Sequence, residues 1–182
     1  MHTENNPSRT ALLIIDAQQG IFEKSTPVYQ AEQLLENLNF LIDKARAQGA
    51  PVIFVQHAND SFLQKGSPAW QLHPALQPRA DEVIIHKHHG DAFVGTDLQA
   101  ELEKRKVRAL VVTGLVTQGC VRATSLGALG KGYAVVLVSD GHSTYSKGAA
   151  KIIEQWNQTL NAKGVDLMAA KDVDFVGSIA KS

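Results

Sequence analysis

The stretch VRALVVTGLVTQGCVRATSLGALGKGYAVVLVSD, residues 107–140, holds the pattern that decides the fold. An apolar run at 107–114 leads through a short turn into a helix-like segment at 120–132. A second apolar run follows at 133–140. Neither run alternates with polar residues, so each predicts a strand covered on both faces. Strand, helix and strand in that order form a βαβ unit, and its two strands lie parallel in one sheet.

Moving outward, the same alternation repeats. TALLIID, 10–16, predicts a buried strand. In 28–49, Leu34, Leu35, Leu38, Leu41 and Ile42 recur at helical spacing, and Gly49 stands where a C-terminal cap belongs. PVIFV, 51–55, predicts the next strand, with Pro51 at its first position. Residues 56–82 carry Gly66, Pro68, Pro74 and Pro78 and predict a long loop. Such a loop is unusual in a compact domain unless it has a task. EVIIHK, 82–87, predicts a short strand, and 95–106 a helix with Thr96 as its N-cap. A helix at 147–164 and a weak strand at 165–168 complete the series. The expectation is an α/β fold of three layers, α-β-α, around a mostly parallel sheet of about six strands.

The chain has 182 residues, which suits one domain over 1–182, with residues 1–9 a flexible lead. Lys+Arg and Asp+Glu are 18 each, so the net charge is zero. No basic field favours nucleic acid or an anionic membrane as partner. A single cysteine cannot form an internal disulfide. The opening MHTENNPSR lacks a signal-peptide core, and no apolar run reaches the roughly 20 residues needed to cross a bilayer. These features predict a cytoplasmic protein.

In an open α/β sheet, chemistry collects beyond the carboxyl ends of the strands. Asp16 ends the first strand, Lys87 ends the strand at 82–87, and Cys120 opens the helix after 107–114. A thiolate attacks far better than a thiol, and a helix start beside Lys87 would lower the Cys120 pKa. Asp16 could take the thiol proton and return it to a leaving amine. The turn from Gly114 to Gly119 offers backbone N–H groups to an oxyanion. Each residue also has a bland alternative. Cys120 could fill the core, Asp16 could close an Asx turn, and Lys87 could be surface charge. GALGKG, 127–132, lacks P-loop spacing, and GLVTQG lacks the dinucleotide-binding pattern, so no cofactor is implied.

At these residues the chain resembles the isochorismatase-like cysteine hydrolases. LLIIDAQQGIF, 12–22, is similar to their first-strand motif. KHHGDAFVGTDL, 87–98, is similar to their lysine segment, and 111–144 to their nucleophile motif and the strand after it. The resemblance implies an Asp16–Lys87–Cys120 triad and an oxyanion hole of the Val116 and Cys120 amides. It also implies a cis Leu115–Val116 peptide and a homodimer or homotetramer. The implied reaction is hydrolysis of a small-molecule amide, carbamate or ureido C–N bond through a thioester. Vinyl ether hydrolysis of the isochorismatase type, nicotinamidase activity and a silent binding protein remain alternatives, as does thiol exchange by Cys120. Nicotinamidases of the family hold a metal near the second strand. Here QHANDSFLQKG, 56–66, offers His57, Asn59 and Asp60 without a second nearby histidine, so no metal is expected. His86, His88 and His89 point in different directions along a strand end and do not predict one site. Gln19, Phe22, Trp70, Gln118 and Tyr145 are candidate substrate-lining residues.

Overall fold

The computed structural model describes residues 9–177. Six strands form one sheet: β1 (Arg9–Ile15), β2 (Val52–His57), β3 (Val83–Lys87), β4 (Val107–Leu115), β5 (Ala134–Ser143) and β6 (Asp166–Met168). Their spatial order is β3-β2-β1-β4-β5-β6, and every ladder between neighbours is parallel. The helices are α1 (Gln19–Phe22), α2 (Ala31–Ala47), α3 (Leu98–Lys104), α4 (Arg122–Gly130) and α5 (Ala149–Ala162). Arg9 pairs with Val107 as the first residue of β1; residues 1–8 of the expected lead lie outside the described residues.

The period of two along β1 divides its side chains between two cores. Leu12 and Ile14 join Leu34, Leu38, Leu41 and Ile42 of α2 on one face. Ala11, Leu13 and Ile15 join Leu98 and Leu102 of α3, Ala128 of α4 and Leu160 of α5 on the other. Both sheet faces are therefore covered, as the bare apolar runs predicted, and the result is a three-layer α-β-α fold.

Strand order reverses between β1 and β4. Beyond the carboxyl ends of these two strands lies the crevice where such sheets place their ligands. At the end of this pairing stands Gly114, which pairs with Ile15 and has φ of 114°. A Cβ at Gly114 would lie 2.0 Å from the Ile15 carbonyl oxygen, so only glycine fits. The β4–β5 register also shifts between Val112 and Gly114, which redirects the chain just before the nucleophile turn.

Two local expectations change. The helix predicted from residue 120 begins as one π-type turn, Thr117–Val121, and α4 starts only at Arg122. Gly119 (φ −107°, ψ −109°) breaks the helical path, so Cys120 sits inside a kinked turn and not at an α-helical N-terminus. Thr96 is not the N-cap of α3; Asp97 holds that place without a side-chain cap. The Thr96 hydroxyl instead donates to the Ala92 carbonyl and accepts from the Leu98 N–H, tying the preceding turn together.

Candidate active site

Asp16 follows β1 directly, in a left-handed conformation (φ 49°) that aspartate tolerates better than most residues. Its backbone N–H donates to the Val55 carbonyl, which anchors the turn to β2. Lys87 is the last residue of β3 and is fully buried. Its partner in register is His57, the last residue of β2. Cys120, in the turn after β4, is partly buried. Three strand ends and one turn thus aim four side chains at one point.

The Lys87 ammonium stands at the centre. It pairs with Asp16 Oδ2 at 3.0 Å and donates to Cys120 Sγ at 3.1 Å. It also reaches His57 Nδ1 at 3.0 Å and the His89 carbonyl at 3.1 Å. An ammonium can only donate, so His57 Nδ1 accepts and the ring is neutral with its proton on Nε2. Burial, and then the Lys87 charge, lower the His57 pKa to about 4. Asp16 Oδ1 is buried without a hydrogen-bond partner. A buried carboxylate oxygen left without a partner is costly and calls for an explanation; a carboxylate oxygen of Asp16 lies within 4.8 Å of the Cys120 sulfur.

The thiol does not have the low pKa expected from its place in the sequence. Burial, and then the Asp16 charge, push it up to about 12 against the opposing pull of Lys87. Burial also raises the Asp16 pKa, with Lys87 opposing. Burial and the Asp16 charge thus both favour the protonated thiol. Transfer of that proton to Asp16 changes no net charge in the cluster, and Lys87 faces both the donor and the acceptor.

His57 joins the cluster, a place that the sequence pattern does not give it; by sequence it is only a candidate metal ligand. Its position as the final β2 residue, beside the final β3 residue, is the signal that could have found it. The backbone of His57 is held by Gln18: its N–H donates to Gln18 Oε1 and its carbonyl accepts from Gln18 Nε2, each at 2.9 Å. Gln18 and Gln56 also donate to the Trp70 carbonyl, at 2.8 and 3.0 Å, fastening the long loop over this edge.

Among the described residues, one grouping has metal-ligand character: Asp16, His57 and Cys120, whose ligand atoms lie within 4.8 Å of one another. Lys87 already bonds to all three. A divalent ion there would meet the ammonium charge, so the residues present fit an internal cation better than a metal. Asn59 is occupied with its own turn, accepting from the Ser61 and Leu63 N–H groups.

The Leu115–Val116 peptide is cis. Gln118 Nε2 donates to Thr144 Oγ1 and Ser146 Oγ at 3.1 and 2.9 Å, while its Oε1 is buried without a partner. Tyr145 lies between those two hydroxyl residues and packs on the core. Phe22 packs against His73 at 4.7 Å between ring centroids. Gln19 opens α1, with its N–H donating to the Gln71 carbonyl. The Trp70 ring is buried edge-on against His86, 4.9 Å away, whose side chain leaves β3 on the opposite side from Lys87. Among the described residues none of these five makes a side-chain hydrogen bond to the cluster.

Known proteins are similar to this chain in sequence and fold. A streptothricin hydrolase of Streptomyces noursei is 34% identical over 142 residues, covering 77% of this chain and 51% of its own length. The chain spans about half the length of the streptothricin hydrolases it matches. The isochorismatase family protein YecD of Escherichia coli O157:H7 is 31% identical over 173 residues, covering 87% of this chain and 89% of YecD. A crystal structure of an isochorismatase family protein superposes with a TM-score of 0.83 at 32% identity, covering 88% of this chain and 98% of that one. No helix in the described residues is long and apolar enough to cross a membrane. The isochorismatase domain family matches residues 10–165, and the chain belongs to that family.

Proposed function

We propose that the protein is a cysteine-dependent hydrolase of a small-molecule amide, carbamate or ureido C–N bond. The observation that carries this reading is the meeting of the Cys120 sulfur, the Asp16 carboxylate and the Lys87 ammonium within 3.0–3.1 Å contacts of that ammonium. Relatives that are hydrolases by name support the reaction class.

Asp16 takes the Cys120 proton as the sulfur bonds to the carbonyl carbon, and the carbonyl π electrons move to oxygen. The Val116 and Cys120 N–H groups receive that oxyanion. Collapse breaks the C–N bond, and Asp16 returns the proton to the departing nitrogen. A thioester remains on Cys120. Water then gives a proton to Asp16 and attacks the thioester carbon, the C–S bond breaks, and the proton returns to sulfur. Lys87 faces whichever of sulfur or carboxylate is anionic. His57 accepts from Lys87 and holds the ammonium in place.

Retention of a sulfur nucleophile supports C–N cleavage over vinyl ether hydrolysis. The occupation of His57 by Lys87 supports a metal-independent reaction over the nicotinamidase type. The test is amine or ammonia release from a panel of small amides, carbamates and ureas. Wild type releasing amine while a folded Cys120→Ala variant does not is the expected result. Equal release by both overturns the assignment.

A further inference from the structure

Lys24 lies just beyond α1, with its ammonium 3.6 Å from the centroid of the Phe62 ring and 5.0 Å from that of Tyr145. Its side chain is partly buried, yet among the described residues it makes no ion pair. Two aromatic faces remove water from a charge and return only part of its hydration energy. A cation held this way has capacity left for an anion, and the contact would gain strength from the reduced exposure to water.

The position of this clasp gives it a ligand. Lys24 follows Asp16 along the chain after β1. Phe62 follows His57 after β2. Tyr145 follows β5, between Thr144 and Ser146, the two residues that hold Gln118 of the nucleophile turn. All three arms therefore rise from the sheet edge that carries the cluster. A cavity of about 350 Å³, lined by Gly20, Glu23, Lys24, Ser25, Phe62 and Ala69, opens at Lys24 and Phe62, within the size range of small-molecule sites. Glu23 shares this cavity but does not pair with Lys24.

We infer that Lys24, clasped by Phe62 and Tyr145, is a specificity residue that receives an anionic substituent, a carboxylate in the simplest case, on the substrate. The inference rests on the proposed hydrolysis at Cys120 and narrows its substrate to anionic amides, carbamates or ureides. The aromatic rings hold the ammonium in a fixed place, so a carboxylate that meets it also fixes the distance to the scissile carbonyl.

The probes are two matched pairs: succinamate with butyramide, and glutaramate with valeramide. Each pair differs by a carboxylate in place of a methyl group. Two quantities are read for wild type, Lys24→Met and Lys24→Arg. One is the ratio of kcat/KM between members of a pair. The other is the ratio of concentrations that half-protect Cys120, the only cysteine, from iodoacetamide. Wild type is expected to favour the anionic member by about tenfold or more. Lys24→Met is expected to bring that ratio close to one, and Lys24→Arg to keep most of it. No charge preference in wild type, or the same preference in Lys24→Met, overturns the inference. If no probe is hydrolysed, the failure lies with hydrolysis of simple amides, and the protection ratio still decides the role of Lys24.

Discussion

Lys87 donates from its ammonium to the Cys120 sulfur at 3.1 Å, although 33 positions separate the two residues in the chain. The same ammonium pairs with Asp16, so one cation is shared between the thiol and the carboxylate. This sharing explains how a thiol pushed up to about 12 could still react. In the proposed mechanism its proton moves to a neighbouring carboxylate that burial has also made more basic, and the cluster charge stays constant.

Asp16→Asn separates thiol basicity from catalysis. Removing the Asp16 charge lowers the Cys120 pKa, because that charge raises it in the wild type. Alkylation by iodoacetamide near neutral pH therefore speeds up. Amide turnover falls by roughly 100-fold or more, because the group that carries the proton is gone. Rates of both reactions across a pH series check the opposite signs.

Lys87→Met leaves the Asp16 carboxylate buried without its partner. The expected loss is about 3–5 kcal/mol in chemical denaturation at neutral pH. Adding Asp16→Asn removes the stranded charge and is expected to restore part of that loss. A double variant less stable than Lys87→Met contradicts the pairing.

His142 makes stability fall on the acid side. It is buried, with Nδ1 against Thr117 Oγ1 and Nε2 against Asn157 Oδ1, each at 2.8 Å. Burial is the main cause that lowers its pKa from 6.5 to about 4. The folded state resists a proton that the unfolded chain accepts. Its contribution is therefore complete above pH 6.5 and is lost as pH falls toward about 4, on the order of 3 kcal/mol in all. His57 acts with the same sign. Denaturation midpoints of wild type and His142→Gln across this window check it, and the variant is expected to show the shallower pH slope.

Gly114→Ala places a methyl group 2.0 Å from the Ile15 carbonyl oxygen at a φ of 114°. Backbone clash and strain act together between β1 and β4. A loss of about 4 kcal/mol or more, or failure to fold, is expected. Thermal unfolding of the variant tests this.

The strands were legible because residues such as Leu12, Val111 and Val136 sit in unbroken apolar runs, and burial on both faces leaves no other pattern. Asp16 and Lys87 were legible as polar residues closing such runs. His57 was harder to read. Its strand was predicted to stop at Val55, and the structure extends β2 to His57 by pairing it with Lys87. That pairing and the Gln18 amide that fixes His57 join residues 30 and 39 positions apart, beyond the reach of any local pattern. The kink at Gly119 and the high thiol pKa likewise come from tertiary packing, since helix propensity cannot register burial or the approach of Asp16. Phe62 carries no local signal because it lies in a loop without periodicity. Its contact with Lys24 exists only once the loop folds over the sheet edge.

The most direct test of the central claim is the intact mass of the protein, acid-quenched while it turns over an amide from the panel. The account predicts an added mass equal to the substrate minus its amine, located on Cys120 and removed by hydroxylamine. Steady hydrolysis with no adduct in wild type, and the same rate in Cys120→Ala, would contradict it.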